Sequence, residues 1–337
     1  MSFVRYNTDD SVISSETVVR GMWTADTASL TAFFTSSLVT SSYHLNVYDT
    51  STTSSLQFAI QYGHLNGSGS SDINSAVADI TPTRITYGQY RSLIYNDENS
   101  SFNFGGITSK DFFALNIARS RFKESIKPGS LALKLSGSSG GLTTLTLTDD
   151  SITNGSVTNF IGSNRYYTLI SGSTGTAATS LAGISGSYGL LFPDLGVILL
   201  NPKALSLSSG SGGIGLSINT ANSASGAPQS IVNLISMYTA ISGSGAKSFT
   251  LQSQETVSSR YFFTRVKNNE FNYTTNPSVI NDSGSLLYDT LIDNPQTYMT
   301  TVGMYNDNNE LVAVAKLSRP LIKDFTKEAL IRVKLDY

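Results

Sequence analysis

The sequence predicts an α+β fold in which β-structure dominates, with antiparallel, β-sandwich-like sheets and a few helices. Short runs that alternate apolar and polar residues recur along the whole chain. The segments between them are rich in Gly, Ser, Asn and Pro, as expected for turns. Only two segments, at about 109–126 and 229–241, combine an apolar pattern with the length of a full helix.

The first part of the chain is predicted to form strands at 16–24, 43–48 and 56–65. The second and third of these runs alternate, and polar turn residues at 50–55 separate them. A Gly/Ser loop at 66–71 follows, and we expect it to be a flexible tip.

A helical segment is predicted at 85–128, with a short helix at 87–95 and the strongest helix of the chain at 109–126. Ser109 is suited to cap the second helix, and a Pro-Gly pair at 128–129 is suited to end it. One face of this helix is expected to carry Phe112, Leu115, Ala118, Arg119 and Phe122.

A basic cluster lies in the second half of the same segment, at Arg119, Arg121 and Lys123. Two interpretations stay open. The cluster is either favourable charge near a helix C-terminus, with a solvated face, or an anion-binding site.

Strands resume at 131–136, 142–149 and 165–170. The segment at 188–202 predicts a hairpin whose turn lies at 193–196, where Pro and Gly occupy turn positions. Residues 206–248 are interpreted as a Gly/Ser-rich excursion from the β-scaffold that carries the helix at 229–241.

After further strands at 249–252 and 261–266, the chain is expected to divide into a β-rich domain, 1–255, and a C-terminal β module, 256–337. Within this module, 298–305 and 311–317 are predicted to pair antiparallel around a turn at 306–309, where Asn and Asp tolerate left-handed backbone.

The closing strand has period-2 alternation. Its buried face is expected to carry Ile331, Val333, Leu335 and Tyr337. Arg332, Lys334 and Asp336 are expected to face outward or toward a partner.

Composition narrows the classes of function. Charged residues make up 14% of the chain, against about a quarter in typical proteins. The formal net charge of −2 argues against nucleic acid as a partner. The absence of cysteine excludes disulfides, thiolate metal sites and a Cys nucleophile.

The same composition, with many tyrosines and phenylalanines, fits either a surface covered by neighbours or a β-rich monomer coated with Ser and Thr. No apolar run reaches the length of a membrane helix, and residues 1–10 do not resemble a signal peptide. The sequence therefore predicts no membrane partner and folding in a cytoplasm.

Chemistry-bearing motifs are few. His44 and His64 lie on strands that could form a hairpin, but no carboxylate spacing accompanies them. The glycines at 210–215 match the dinucleotide fingerprint only formally, since no strand–helix context surrounds them. A Ser-His-Asp triad stays open in so Ser-rich a chain, although no nucleophile elbow lies between a strand and a helix. We therefore predict no enzyme activity and no catalytic, cofactor-binding or metal-binding residues.

Longer motifs lie at 87–91, 116–123, 127–129, 188–202, 260–263, 268–273, 276–277, 302–307, 310–318 and 329–337. They resemble motifs of virion structural proteins of contractile-tailed phages (myoviruses), the cyanophage type especially. The resemblance implies a virion protein without enzyme activity, placed in the tail or baseplate and assembled in the host cytoplasm. Its implied partners are other virion structural proteins and copies of itself in an oligomer.

A neck or collar position is the main alternative within that family. From other classes of function, a host-receptor or glycan-binding module that uses exposed tyrosines, and a cryptic hydrolase, stay open.

Overall fold

The structure is a computed structural model of the 337-residue chain. It describes residues 4–23, 31–34, 44–48, 56–67, 83–137, 144–153, 158–172, 186–219, 229–243, 249–274 and 276–336. Strands make up 47% and helices 16% of the described residues, which confirms the α+β, β-dominant fold class with antiparallel sheets.

Nineteen strands and four helices lie within the described residues. The strands are β1 (Ser11–Gly21), β2 (Thr31–Phe34), β3 (Leu45–Tyr48), β4 (Leu56–His64), β5 (Phe102–Phe104), β6 (Ile107–Ser109), β7 (Asp111–Ile117), β8 (Ser125–Ile126), β9 (Ala132–Ser136), β10 (Thr144–Asp149), β11 (Asn159–Ile161), β12 (Asn164–Ser171), β13 (Gly189–Phe192), β14 (Val197–Leu200), β15 (Phe249–Thr250), β16 (Gln252–Val266), β17 (Thr297–Tyr305), β18 (Leu311–Lys323) and β19 (Ala329–Asp336). The helices are α1 (Thr83–Tyr95), α2 (Pro202–Leu205), α3 (Gln229–Ser242) and α4 (Thr290–Asp293).

The chain divides into two compact units. The larger unit comprises residues 18–255, and the smaller unit comprises residues 1–17 together with 256–337. Residues 1–17, predicted to belong to the N-terminal domain, therefore belong to the smaller unit. None of the helices in the described part of the chain has the length and apolar character of a membrane span.

One antiparallel sheet of eleven strands forms the larger unit. Its order is β15-β9-β10-β12-β13-β14-β7-β4-β3-β2, with β11 beside β12. β7 lies near the middle, paired with β14 on one side and with β4 on the other.

The helix predicted at 109–126 is wrong, because these residues form the end of β6, the strand β7, a short 3-10 turn and β8. Phe112 and Phe113 are both fully buried, on opposite faces of the sheet. A strand that is buried on both faces has a continuous apolar run in its sequence. Periodicity alone cannot distinguish such a run from a buried helix. The predicted helical segment 85–128 is helical only at α1.

Helices cover the sheet on both faces. On one face, α1 and the hairpin β5–β6 pack on Phe112, Phe192 and Leu199. On the other face, α3 packs through Leu234 and Met237 against the main core.

α3 confirms the helix predicted at 229–241. Within the segment 206–248, α3 supplies part of the largest apolar core.

The hairpin predicted at 188–202 is confirmed as β13–β14, with Leu190 opposite Leu199. Its turn ends at Gly196, where φ is 70° and the N–H donates to the carbonyl of Phe192 at 3.0 Å. A Cβ atom at position 196 would also collide with the ring of Phe122. Glycine is therefore required there on two grounds.

A four-stranded sheet has the order β1-β16-β19, with β8 beside β16, and the smaller unit also contains the separate hairpin β17–β18. β19 confirms the predicted closing strand, with Ile331 and Val333 buried and Leu335 half-buried. Its three charged residues, Arg332, Lys334 and Asp336, are exposed. Tyr337 lies outside the described residues.

The predicted C-terminal hairpin is also confirmed. β17 and β18 pair antiparallel, and β18 extends to Lys323, beyond the predicted end at residue 317. Asn309 has φ of 61°, so the turn uses the left-handed backbone that its sequence predicts.

Replacing Phe113 by Ala should destabilise the larger unit by about 3–5 kcal/mol, because it opens a cavity beside Tyr62 in the main core. Urea unfolding measures the change. Phe160, which is 62% exposed, is the matched control, and Phe160→Ala should change stability very little. Equal effects of the two substitutions would contradict the two-faced burial of β7.

Candidate interaction surface

The two units differ in how many of their apolar side chains are buried. Among the described residues, the larger unit buries forty-five apolar side chains, whereas the smaller unit buries Val266, Ile331 and Val333 alone. Seventeen large apolar side chains of the smaller unit are exposed, against five in the larger unit. Large contiguous patches of exposed apolar surface are typical of interaction sites.

The hairpin β17–β18 carries much of this exposed surface. Tyr298, Val312 and Val314 are 63%, 68% and 62% exposed. The exposed set on the two strands is Tyr298, Tyr305, Leu311, Val312, Val314, Leu321 and Ile322. Within the described part of the chain, neither strand pairs with a third strand. An isolated two-stranded hairpin is at best marginally stable in water.

Val302 lies opposite Ala315, and Met304 lies opposite Ala313, so these four side chains share one face of the hairpin. Leu317 continues the alternation along β18, and all five residues are half-buried. We call these five residues the apolar face. It contains no polar side chain.

The base of the hairpin is fixed by a buried lysine. The Nζ of Lys323 donates to the carbonyls of Asn268 and Asp324 at 2.9 and 2.8 Å, and to the side-chain oxygen of Asn272 at 2.8 Å. Thr297, opposite Lys323, donates its hydroxyl to the carbonyl of Phe271 at 2.6 Å. These bonds hold the base of the hairpin to the loop at 268–272.

The tip of the hairpin is ordered by its own turn. The N–H of Asn306 donates to the carbonyl of Glu310 at 3.0 Å, and its side-chain amide donates to the Glu310 carboxylate at 2.7 Å. The hairpin is therefore built to hold a defined shape while its strands stay exposed.

Several charged side chains on the exposed face of the β1-β16-β19 sheet contact one another or an aromatic ring. The guanidinium of Arg332 lies 5.4 Å from the ring centre of Tyr261, and Lys334 pairs with Asp336 at 3.0 Å. Arg265 pairs with Glu328 at 2.8 Å. Such a face suits a protein surface better than a polyanion, which needs an excess of positive charge.

In the larger unit, a polar cluster lies where β4 and β7 are paired. The hydroxyls of Tyr62 and Ser109 donate to the carboxylate of Asp111 at 3.1 and 3.2 Å. His64 lies opposite Asp111, and its Nδ1 accepts from the N–H of Asn66 at 3.1 Å. Because Ser109 donates to Asp111 and not to His64, this cluster lacks the order of contacts of a Ser-His-Asp triad.

Burial sets the ionisation of this cluster. It raises the pKa of Asp111, against the opposing effects of the Tyr62 hydrogen bond and His64. It also lowers the pKa of His64.

The other histidine, His44, precedes Leu45 at the start of β3, and burial lowers its pKa as well. Leu45 lies opposite Ile60, so the two histidines are at different levels of the β3–β4 pair. The described residues contain no group of three side chains that could hold a metal ion.

The basic cluster has separate structural contacts. Arg119 lies over the ring of Phe122 at 4.6 Å and donates to the carbonyl of Lys123 at 2.7 Å. Arg121 donates to the carbonyl of Leu56 at 3.1 Å.

Lys123 pairs with Glu255 at 2.9 Å, and Arg20 approaches the same carboxylate at 3.6 Å. These contacts account for the basic residues without a bound anion.

The glycines at 210–215 follow the short helix α2 rather than a strand. Gly212 and Gly215 have positive φ, and the hydroxyl of Tyr188 donates to the carbonyl of Gly212 at 2.7 Å. The loop is thus packed structure without the strand–helix context of a dinucleotide site.

The exposure of the hairpin was not foreseen from the sequence, although one signal was present. Residues 297–305 contain no charged side chain, and charge is what usually protects an edge strand. A comparison of the chain with protein-family models, with curated proteins and with solved structures finds no match in any of the three.

Replacing Asp111 by Asn should raise stability relative to the wild type at neutral pH. The folded protein holds the Asp111 proton more tightly than the unfolded chain does, so wild-type stability falls as pH rises from the ordinary carboxyl pKa through the raised one. The Asn variant lacks this loss, so its advantage should grow with pH and then level off.

The control is Asp97→Asn. The hydroxyl of Ser100 donates to Asp97 and holds its pKa below the usual value, so this variant should lose stability, relative to the wild type, as pH rises. Urea unfolding at a series of pH values compares the two. A shift of the same sign in both variants would contradict the assignment for Asp111.

Proposed function

We propose that this chain is a structural protein without enzyme activity, which acts by protein–protein assembly in the virion of a contractile-tailed phage. The observation that carries the proposal is the smaller unit, whose described residues include three buried apolar side chains and seventeen large exposed ones. Neighbouring subunits in a particle would cover that surface.

The free energy available from burying the exposed side chains favours assembly. Fully burying a Val, Leu or Ile side chain contributes roughly 1.5–3 kcal/mol. The exposed side chains of the hairpin are about 40–70% exposed, so each still has roughly half of this to gain. Because Leu311 and Val312 are adjacent, as are Leu321 and Ile322, the seven side chains lie on both faces of the hairpin. Neighbours on both faces would have to cover them to offset the roughly 4–15 kcal/mol lost on association.

The position within the particle is supported by the resemblance of the C-terminal motifs to virion proteins of contractile-tailed phages. We place the chain in the tail or baseplate, with other virion structural proteins and copies of itself as partners. The neck or collar is the alternative position.

A host-receptor or glycan-binding module is the second candidate, favoured by the exposed tyrosines Tyr273, Tyr288 and Tyr298. Binding of the isolated protein to oligosaccharides, abolished by replacing these tyrosines, would favour this candidate over assembly.

The assembly proposal is tested in particles. Peptides of this chain should be recovered from purified particles of a phage that encodes it. Val314→Glu should reduce its incorporation at least several-fold, because a carboxylate would have to be buried at the contact. The melting temperature of the isolated protein should stay nearly unchanged, since Val314 is 62% exposed.

Leu93→Glu is the matched control, because Leu93 is an exposed side chain of α1 in the larger unit. This variant should be incorporated normally. Absence of the chain from purified particles would refute the virion role, and equal incorporation of both variants would refute the role of the hairpin.

A further inference from the structure

We infer that Lys323 and Asn272 form an intramolecular isopeptide bond, which the smaller unit makes without an enzyme once it has folded. The bond joins Nζ of the lysine to Cγ of the asparagine. The inference is independent of the proposed function, because it concerns a covalent modification within one chain. Three observations support it: the contact between the two side chains, their burial and the strained backbone beside Asn272.

The two reacting groups are already in contact. Nζ of Lys323 donates to Oδ1 of Asn272 at 2.8 Å. Because the carbonyl bond of the Asn272 amide is about 1.2 Å long, Nζ lies within about 4 Å of Cγ. Groups that a fold holds this close react far faster than the same groups free in solution.

Both side chains are shielded from water. Lys323 is fully buried, and Asn272 is 8% exposed. Water is therefore kept from competing with the amine for Cγ, and the amide product is protected from hydrolysis.

The site of Lys323 also favours loss of its charge. Among the described residues no carboxylate forms an ion pair with Lys323, and its three acceptors are neutral carbonyl oxygens. A buried charge without a partner of opposite sign is costly. Formation of the amide removes that charge.

The backbone beside Asn272 is strained. Phe271 has φ of 53°, which is unusual for a bulky side chain. The hydroxyl of Thr297 donates to the carbonyl of Phe271 at 2.6 Å and helps to hold this conformation. Strained backbone that its surroundings hold in place is typical of functional sites. Here the strained residue directly precedes the amide that contacts Lys323.

The reaction balances within the pair. The lone pair of Nζ forms the bond to Cγ, and the Cγ–Nδ2 bond breaks, with its electrons going to Nδ2. Of the three protons of the lysine ammonium, one stays on the new amide and two pass to Nδ2, which leaves as ammonium. No oxidant, reductant or other co-reactant takes part.

The path of these protons is short. Nζ of Lys323 and Nδ2 of Asn272 both donate to the carbonyl of Asn268, at 2.9 and 2.7 Å. The shared acceptor places the attacking and the leaving nitrogen side by side.

The bond has a structural consequence for the smaller unit. It joins residues 51 positions apart and fixes the base of the hairpin β17–β18 to the loop at 268–272 covalently. Such a crosslink restricts the unfolded chain as a disulfide does, in a chain that contains no cysteine. The bond forms in the isolated chain, so absence of the chain from particles bears on the proposed function alone.

Mass spectrometry of the whole, denatured chain tests the inference. The wild type should weigh less than its sequence by one ammonia. Lys323→Arg keeps the positive charge and the donors but cannot form the bond, and Asn272→Ala lacks the amide, so both should have their full sequence masses. Asn268→Ala is the matched control, because Asn268 contributes its main-chain carbonyl to the site, and this variant should still lose ammonia.

A tryptic digest locates the bond. Trypsin releases residues 268–316 as one peptide, and an unmodified Lys323 ends the next peptide, 317–323. An isopeptide bond at Lys323 blocks cleavage there, so the wild type should yield one branched peptide that joins 268–316 to 317–327. A succinimide at an asparagine loses the same ammonia but leaves the two peptides separate.

The wild-type measurements decide the question even where a variant fails to fold. A wild type of full sequence mass, or a digest that contains 268–316 and 317–323 only as separate peptides, would overturn the inference. A branched peptide that persists in Lys323→Arg would overturn the assignment of the lysine.

Discussion

Both units depend on covering their apolar side chains from water, and the two units differ in how many of these side chains they cover. In the larger unit, β7 places Phe113 in one core and Phe112 in the other, so the sheet requires a layer on each face. α3 supplies the first layer, and α1 with the hairpin β5–β6 supplies the second. The unit is thereby complete within one chain.

The smaller unit has no comparable core among its described residues. Its order comes from hydrogen bonds, above all from Lys323, whose three acceptors fix the base of the hairpin to the preceding loop. A buried lysine that satisfies its acceptors holds geometry without covering apolar surface. The hairpin is thus held in position by hydrogen bonds, while seven large apolar side chains on its strands are not covered by the described residues.

The sequence predicts the hairpins well, because turn chemistry is local. Asn309 and Gly196 adopt the left-handed backbone that their positions require. The closing strand β19 was likewise predictable from the sequence, since its buried apolar residues alternate with exposed charged ones.

The helix prediction at 109–126 was wrong because β7 is buried on both faces, and such burial removes the alternation that identifies a strand. The covering of the sheet by α3 depends on long-range packing, which no local pattern encodes. Whether a Ser-His-Asp triad forms also depends on long-range contacts, which the sequence does not reveal. The structure shows that Ser109 donates its hydroxyl hydrogen bond to Asp111.

In the part that the structure describes, the chain uses many polar side chains for structural contacts. Its buried polar side chains form structural hydrogen bonds. Asn233, for example, accepts from the N–H of Asn219 and donates to the carbonyl of Asn219. Charges on the exposed sheet of the smaller unit are paired with one another, as Arg265 is with Glu328.

Hydrogen exchange, followed by mass spectrometry in the dilute protein and in assembled particles, tests this account most directly. We predict that the amides of β17 and β18 exchange readily in the dilute protein and become protected in the particle. The amides of β7 should be protected equally in both states. A hairpin that is already fully protected in the dilute protein, or that stays unprotected in the particle, would contradict the claim that assembly completes the smaller unit.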